Sequence, residues 1–306
     1  MEISVIMSTY KEEINLLKES IESILNQTYK DFEFIIILDN PMNTEHIRVI
    51  EKYAQNDSRI RFFINDENMG LTKSLNKALS LAKGKYICRM DADDISMPNR
   101  IALQLDYLNR YNYDLIGGLS HMIDENGNTI YSIKKVPTNF DKIKKCIKYN
   151  QVISHPTWFG KKELFDQLHG YRPMPLCEDY DFTLRAILYG FKISNVNQVV
   201  LKYRMTSTSI SRSNLFEQYL YGCYITKEYQ KGNVADIENA KLNVEKHNNK
   251  KNSDRYLKAN VRFNDALKDI EEKKYIKFIK DGFLLVFTSR FYLNKIYRLV
   301  MVTMYS

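Results

Sequence analysis

Three carboxylates, Asp91, Asp93 and Asp94, fall within four positions directly after the β-prone run Tyr86-Ile87-Cys88-Arg89-Met90. Packed this closely they repel one another unless a cation or a set of hydrogen-bond donors offsets the charge. Acids at the carboxyl end of a strand also face the crevice in which an open α/β sheet binds its ligands. The chemistry that suits both conditions is a divalent cation assisting at phosphate oxygens. Further acids occupy comparable places. Asp39 ends the apolar run Phe32–Leu38, and Glu12 lies in the polar turn Thr9-Tyr10-Lys11-Glu12 that follows the run at 3–8. Glu178-Asp179-Tyr180-Asp181 opens an apolar helical stretch over 182–188, where the helix dipole favours acids in the first turn.

The elements that must position these residues follow from hydrophobic spacing. Residues 3–8 (ISVIMS) have strand length, and Leu16, Leu17, Ile21, Ile24 and Leu25 then recur at helical intervals. Residues 32–38 (FEFIIIL) read as a fully buried strand, stopped by Asp39-Asn40-Pro41. Ile47, Val49, Ile50 and Tyr53 mark a second helix, residues 60–64 a third strand and residues 70–82 another helix, before the strand that ends in Asp91. Such alternation predicts an α/β fold with a Rossmann-like, mostly parallel central sheet flanked by helices and joined by right-handed crossovers. Past residue 98 the pattern becomes less regular. A helix is expected over 98–111, a strand over 114–119, a hairpin turn at 124–128 (DENGN), a helix from 161 and a last strand over 196–203.

The 306 residues are 44% hydrophobic, enough for a sizeable core without disulfides. Cys88, Cys146, Cys177 and Cys223 are widely spaced and form no CxxC pattern, which fits reduced cytosolic thiols. The start of the chain runs straight into a strand, without the basic and apolar segments of a signal peptide. Net charge is +8 and unevenly spread. Residues 1–214 hold 28 Lys and Arg against 26 Asp and Glu, a balance of +2, whereas residues 215–306 hold 17 against 11, or +6. On a helical wheel Lys273, Lys277, Lys280, Arg290, Lys295 and Arg298 share one side of the tail and apolar residues the other. Three charges in the apolar stretch 283–305 argue against a spanning helix and for a basic amphipathic helix at a membrane interface. The alternative is a helix packing on the body or on a partner chain. No GxGxxG or GxxxxGK[ST] loop is present, so neither a dinucleotide dehydrogenase nor a P-loop NTPase is indicated.

The order of Ser8-Thr9-Tyr10-Lys11-Glu12, Asp39, Asn68-Met69-Gly70-Leu71 with Asn76, Asp91-Ala92-Asp93-Asp94 and Glu178-Asp179 resembles family 2 glycosyltransferases of the inverting GT-A type over about residues 1–212. The resemblance implies a GT-A catalytic domain at 1–212, with a nucleotide-sugar half (1–119) and an acceptor half (120–212), and a helical extension at 213–306. It assigns Thr9, Tyr10, Glu12, Asp39 and Asn68 to the nucleotide side and Asp91 to the ribose or donor sugar. Asp93 becomes the ligand of Mg²⁺ or Mn²⁺. Asp179 becomes the base that takes the proton of the acceptor hydroxyl, with Glu178 beside it; a carboxylate serves because its reference pKa lies well below neutral.

His155 and Trp158 are candidates for the acceptor side. Many relatives carry a histidine two residues after a Tyr-Arg pair, but here Tyr203-Arg204 is followed by Met205-Thr206. That departure leaves His155 or water to complete the metal shell, or else weakens metal binding, and suggests Arg204 as a diphosphate clamp. The function implied is transfer of one sugar from a nucleotide donor, UDP-linked by family analogy, to a saccharide acceptor. By the same analogy the acceptor is lipid-linked, the setting is capsule or O-antigen type assembly, and the tail docks on the cytosolic membrane face without a nucleic-acid partner. Alternatives are a nucleotidyltransferase, which usually shows a Gly-rich loop after strand one, or a catalytically silent membrane-attached binding protein. A processive synthase is disfavoured, since the sole tryptophan is outside a Gln-x-x-Arg-Trp motif and no spanning helix is evident.

Overall fold

The computed structural model describes the chain outside residues 207–213, 272–273, 275–283 and 286. It divides into two compact units, one formed by residues 1–144, 151–173 and 178–207 and the other by 145–150, 174–177 and 208–306.

The first unit is built on one nine-stranded sheet. Strands β1 (Ile3–Thr9), β2 (Phe32–Leu38), β3 (Ile60–Ile64) and β4 (Tyr86–Asp91) run parallel in the order β3-β2-β1-β4. The helices α1 (Ile14–Leu25), α2 (Thr44–Asn56) and α3 (Leu71–Leu81) connect them. Every residue of β2 is buried, which is why its sequence is almost continuously apolar. Its one charge, Glu33, accepts from the Ser4 hydroxyl (2.7 Å) and the Lys83 N–H (2.6 Å) and pairs with Arg61 (2.5 Å). Burial raises the Glu33 pKa, and these donors outweigh it to hold the carboxyl below its ordinary value.

Beyond β4 the sheet becomes mixed. The three-residue β8 (Phe159–Lys161) lies antiparallel to both β4 and β6 (Leu115–Ile123), and β9 (Ile193–Arg204) pairs parallel to β6. The short β5 (Ile95–Ser96) pairs with β9, and β7 (Thr129–Ser132) makes the expected hairpin with β6. The sequence gives β8 no strand signal, because three residues carry no period and a glycine sits in the middle. Gly160 is required there, as an added Cβ would lie 2.9 Å from the Asp114 carbonyl oxygen. Helices α4 (Arg100–Tyr111), α5 (Phe140–Cys146), α6 (Lys162–Gln167) and α7 (Glu178–Leu188) follow along the chain.

The second unit contains α8 (Leu215–Gln230), α9 (Ile237–His247), α10 (Lys250–Glu271) and α11 (Arg290–Tyr305). Phe216, Tyr219, Tyr256, Phe291 and Tyr292 form its aromatic centre. The basic side of the tail differs from the wheel. Lys273, Lys277 and Lys280 lie outside the described residues. Ser289 is extended (φ −153°, ψ 119°) and caps α11, so no single helical frame runs from 273 to 298. Lys295 sits 5.0 Å over the Tyr292 ring and 5.5 Å over the Tyr256 ring, and Arg298 donates to the Thr226 hydroxyl (3.1 Å). These two cations thus pack within the unit. Among the exposed residues of α11, Tyr297 (52%), Val300 (49%) and Met304 (71%) are apolar and spaced three and four apart on one face, beside the exposed Arg290 and Asn294. Among the described residues no helix is long and apolar enough to cross a membrane.

Candidate active site

The parallel register sets the ends of three strands side by side, pairing Ser8 with Asp91 and Thr9 with Leu38. At the end of β1 the chain turns back on itself. Glu12 Oε2 accepts from the Thr9 hydroxyl (2.6 Å) and the Tyr10 N–H (2.8 Å), and His46 Nε2 lies 2.9 Å from the Glu12 carbonyl oxygen. This leaves the Tyr10 ring at the surface. At the end of β2, Asp39 is buried and accepts from Asn65 Nδ2 (2.6 Å), the Met69 N–H (2.8 Å) and the Gly70 N–H (2.8 Å). Three of its four lone-pair directions are therefore spent on shaping the 65–70 loop. Asn68 Oδ1 accepts from the same Gly70 N–H (3.2 Å), and Gly70 adopts φ +83°, a conformation glycine reaches without strain.

At the end of β4 the acids are arranged around a buried cation that sequence reasoning did not single out. Arg89 grips Asp91 with two bonds, Nη1 to Oδ2 and Nη2 to Oδ1, each 2.5 Å. The signal was available, since residues two apart on a strand share a face and an Arg-x-Asp pair places opposite charges there. The Ser20 hydroxyl holds the Asp91 carbonyl (2.7 Å). Asp93 is half-buried, and burial, then the charges of Asp91 and Glu12, push its pKa up to about 7. Asp94 turns inward, accepting the Arg204 N–H on Oδ1 (2.8 Å). Burial, then Asp91 and Asp93, raise its pKa well above the ordinary carboxyl value. It does not cap α4, whose N-cap is Asn99.

Arg204 is not placed as a diphosphate clamp. It is buried, and its guanidinium is committed to the carbonyls of Asp93 (2.8 Å), Asp124 (3.2 Å) and Glu125 (3.0 Å) and to the Glu19 carboxylate (2.7 Å). Its effect is to pin the Asp93-Asp94 turn against the 124–128 hairpin.

Glu178 and Asp179 open α7 and share the Arg89 field with the strand-end acids, which lowers their proton affinity. Burial, then Asp179, nevertheless raises the Glu178 pKa to about 7, and burial raises that of Asp179. Asp179 Oδ1 accepts the Tyr180 N–H (2.7 Å). Asp181 is instead structural, buried between Arg172 and Arg185. Asn76 links the two halves: its side-chain amide accepts the Tyr171 N–H (2.9 Å) and donates to the Tyr171 carbonyl (2.8 Å).

His155 and Trp158 belong to the layer behind the site. Trp158 is 0% exposed, its indole N–H bonded to the Ile153 carbonyl (3.2 Å) and its rings packed against Tyr171 and Phe182. It has no open face on which to stack a sugar. His155 is buried with Nε2 2.9 Å from the Tyr171 hydroxyl, and burial, then Arg89, holds its pKa well below the ordinary value. A histidine so engaged is not available to complete a metal shell. Among the described residues no group of three His, Cys, Asp or Glu side chains converges as a metal cage. What fits a cation is the half-buried Asp93 carboxylate, with remaining ligands supplied by donor phosphates and water, as Mg²⁺ commonly uses.

Residues 4–168 match the profile of the family described as Glycosyl transferase family 2. The chain belongs to that family. An uncharacterized glycosyltransferase of Methanocaldococcus jannaschii is 40% identical over 230 residues, covering 75% of this chain and 79% of the relative. The O-antigen biosynthesis glycosyltransferase WbnJ of Escherichia coli is 32% identical, covering 75% and 89%. Among solved structures, Staphylococcus aureus TarS 1–349 in complex with UDP-GlcNAc superposes with a TM-score of 0.60 at 20% identity, covering 80% of this glycosyltransferase and 70% of that chain. That likeness shows the GT-A fold. The family 2 glycosyltransferase thus carries its strand-end acids on a sheet of the expected kind and its Glu178-Asp179 pair at the start of α7.

Proposed function

We propose that this glycosyltransferase moves one sugar from a UDP-sugar to a hydroxyl of a lipid-linked saccharide, with inversion, in the assembly of a surface polysaccharide. The observation that carries the reading is the joint arrangement of Asp91, Asp93, Glu178 and Asp179 around Arg89. Asp179 takes the proton of the acceptor hydroxyl as its oxygen bonds to the anomeric carbon. The bond from that carbon to the diphosphate breaks, and the electron pair leaves with the nucleoside diphosphate. Glu178 raises the basicity of Asp179 by its charge, and Asp91, held by Arg89, receives a donor hydroxyl. The turn of Thr9, Tyr10 and Glu12, with the loop anchored on Asp39 and carrying Asn68, frames the nucleoside. A bound Mg²⁺ or Mn²⁺ on Asp93 would neutralise charge on the diphosphate. The naming of WbnJ for O-antigen synthesis and the UDP-GlcNAc bound to TarS support the acceptor class and the base.

Thermal shift and calorimetry with UDP, GDP and a panel of UDP-sugars, with and without Mn²⁺, test the donor class. UDP is expected to stabilise the protein by several degrees only with the cation, and Asp93→Asn to lose that dependence. A GDP-selective shift would overturn the assignment of the base, and an equal shift without metal that of Asp93.

The same reading places the enzyme on the cytosolic membrane face through α11, supported by the outward Tyr297, Val300 and Met304 and the +6 charge of residues 215–306. Burying each such side chain in an interface contributes about 1–2 kcal/mol. Replacing all three by serine is therefore expected to weaken binding to anionic phospholipid vesicles more than about tenfold in sedimentation. Unchanged sedimentation would instead assign the row to a partner chain.

A further inference from the structure

An aspartate side chain turns about two bonds, and the one backbone donor on Asp179, the Tyr180 N–H on Oδ1 (2.7 Å), does not by itself fix the plane of the carboxylate. A second donor comes from Gln151, which belongs with α7 to the first unit. Gln151 Oε1 accepts from the Val152 N–H (3.1 Å) and the Ile153 N–H (3.4 Å), folding the side chain back over its own turn. Its Nε2 donates to the oxygen of the buried Thr183 hydroxyl (3.1 Å). Thr183 spends its own proton on the carbonyls of Asp179 (3.2 Å) and Tyr180 (3.0 Å). Both ends of the amide are thereby assigned: the oxygen faces two N–H groups, and the NH₂ group faces α7. Thr183 stands one helical turn from Asp179, and the Gln151 amide donates to the Asp179 carboxylate as well. The whole donor and acceptor capacity of this half-buried amide is used in holding that one helix start.

We propose that Gln151 is a positioning residue for sugar transfer: anchored on the Val152 and Ile153 N–H groups and on Thr183, its amide fixes the plane of the Asp179 carboxylate so that the remaining lone pairs receive the acceptor hydroxyl. The inference rests on the reading of Asp179 as the base. It makes the turn at 151–153, before β8, part of the catalytic apparatus although none of its side chains reaches the reacting atoms.

The test is Gln151→Met, which keeps the side-chain length and removes the amide, assayed in the full chain by release of nucleoside diphosphate from UDP-glucose, UDP-galactose, UDP-GlcNAc, UDP-GalNAc and GDP-mannose with Mn²⁺ and water as acceptor. With the donor that gives the highest rate, kcat is expected to fall about 10- to 100-fold with donor KM within about twofold, since displacement of a reacting group by about 1 Å costs on this scale. The acidic limb of kcat is expected to move to higher pH, because a donor to the ionised carboxylate favours ionisation and has been lost. The other groups facing Asp179, namely Glu178 on its own helix, Arg89 on β4 and Tyr171 ahead of α7, are unchanged in this variant. Thr183→Val supplies the second arm and leaves the 151–153 turn intact. By itself it is expected to lower kcat about 3- to 10-fold, and in the Gln151→Met background to cost less than about twofold more, because residues acting through one contact are not additive. A wild-type kcat for Gln151→Met overturns the proposal, as does a loss of kcat with the acidic limb in place, or losses that add in the double variant. Should Gln151→Met not fold, a Thr183→Val enzyme with wild-type kcat and acidic limb overturns it equally. Asp179→Asn separates the two readings: if it turns over normally the base assignment fails, whereas if it is inactive and Gln151→Met is normal only the role of Gln151 fails.

Discussion

Asp179→Asn is expected to lower transfer by about 10²- to 10⁴-fold, the range that a positioned general base supplies. The substitution is close to isosteric, and an asparagine Oδ1 still accepts the Tyr180 N–H that the aspartate accepts at 2.7 Å. Donor affinity by calorimetry should therefore stay within about twofold while kcat collapses, the signature of an interaction used in the transition state. Near-normal turnover would remove Asp179 from the role. The pH dependence sharpens this. A base works only when ionised, so protonation removes activity as pH falls, and burial has moved both carboxyls upward, Glu178 to about 7. The acidic limb of kcat is expected above the ordinary carboxyl range of about 4. Because the two groups titrate as a pair, removing one charge eases ionisation of the other. Glu178→Gln should shift the acidic limb to lower pH; a limb that stays in place would place Glu178 outside the electrostatics of the base.

Arg89→Met should be the most destabilising change at the site. Arg89 is buried beneath Asp91 in a two-bond ion pair and is the cation that offsets Asp93, Asp94, Glu178 and Asp179. Removing one partner of such a pair leaves an uncompensated charge, at about 3–5 kcal/mol for a fully buried pair. Asp91 retains partial access to solvent, with its side chain 28% exposed, so the lower end is expected, about 3 kcal/mol. The double substitution Arg89→Met with Asp91→Asn should recover more than half of the lost stability in denaturant unfolding, without restoring transfer. Equal stability of the single and double variants would show that the pair is not what holds the strand end.

The contrast between what the sequence disclosed and what it hid follows from the range of the interactions. The parallel half was legible because β1 to β4 and their helices repeat one local pattern, and each acid at a strand end interrupts an apolar run. Strand β8 was not, since three residues have no period and their pairing is long-range. Arg89 was not legible as the counter-charge, although it stands two residues before Asp91, because only its burial shows the guanidinium turned onto the acids rather than to solvent. Trp158, His155 and Arg204 show the opposite error. Aromatic and basic residues near a site invite a binding role, and only packing reveals that Trp158 and His155 fill the core and that Arg204 closes a turn. The tail misled for a related reason: a wheel assumes one continuous helix, and the extended Ser289 resets the frame.

The joint at β8 has a consequence for how this fold can diversify. Its three residues meet β4 through three residue pairs and β6 through two, and they are the path by which the sheet passes from the parallel half to the mixed half. The family match ends at residue 168, seven residues beyond the end of this strand. A seam so narrow makes the enzyme modular. On the proposed reading, substitutions on the far side change what receives the sugar, while β1 to β4 and the Arg89 pair keep a parallel register that does not depend on them.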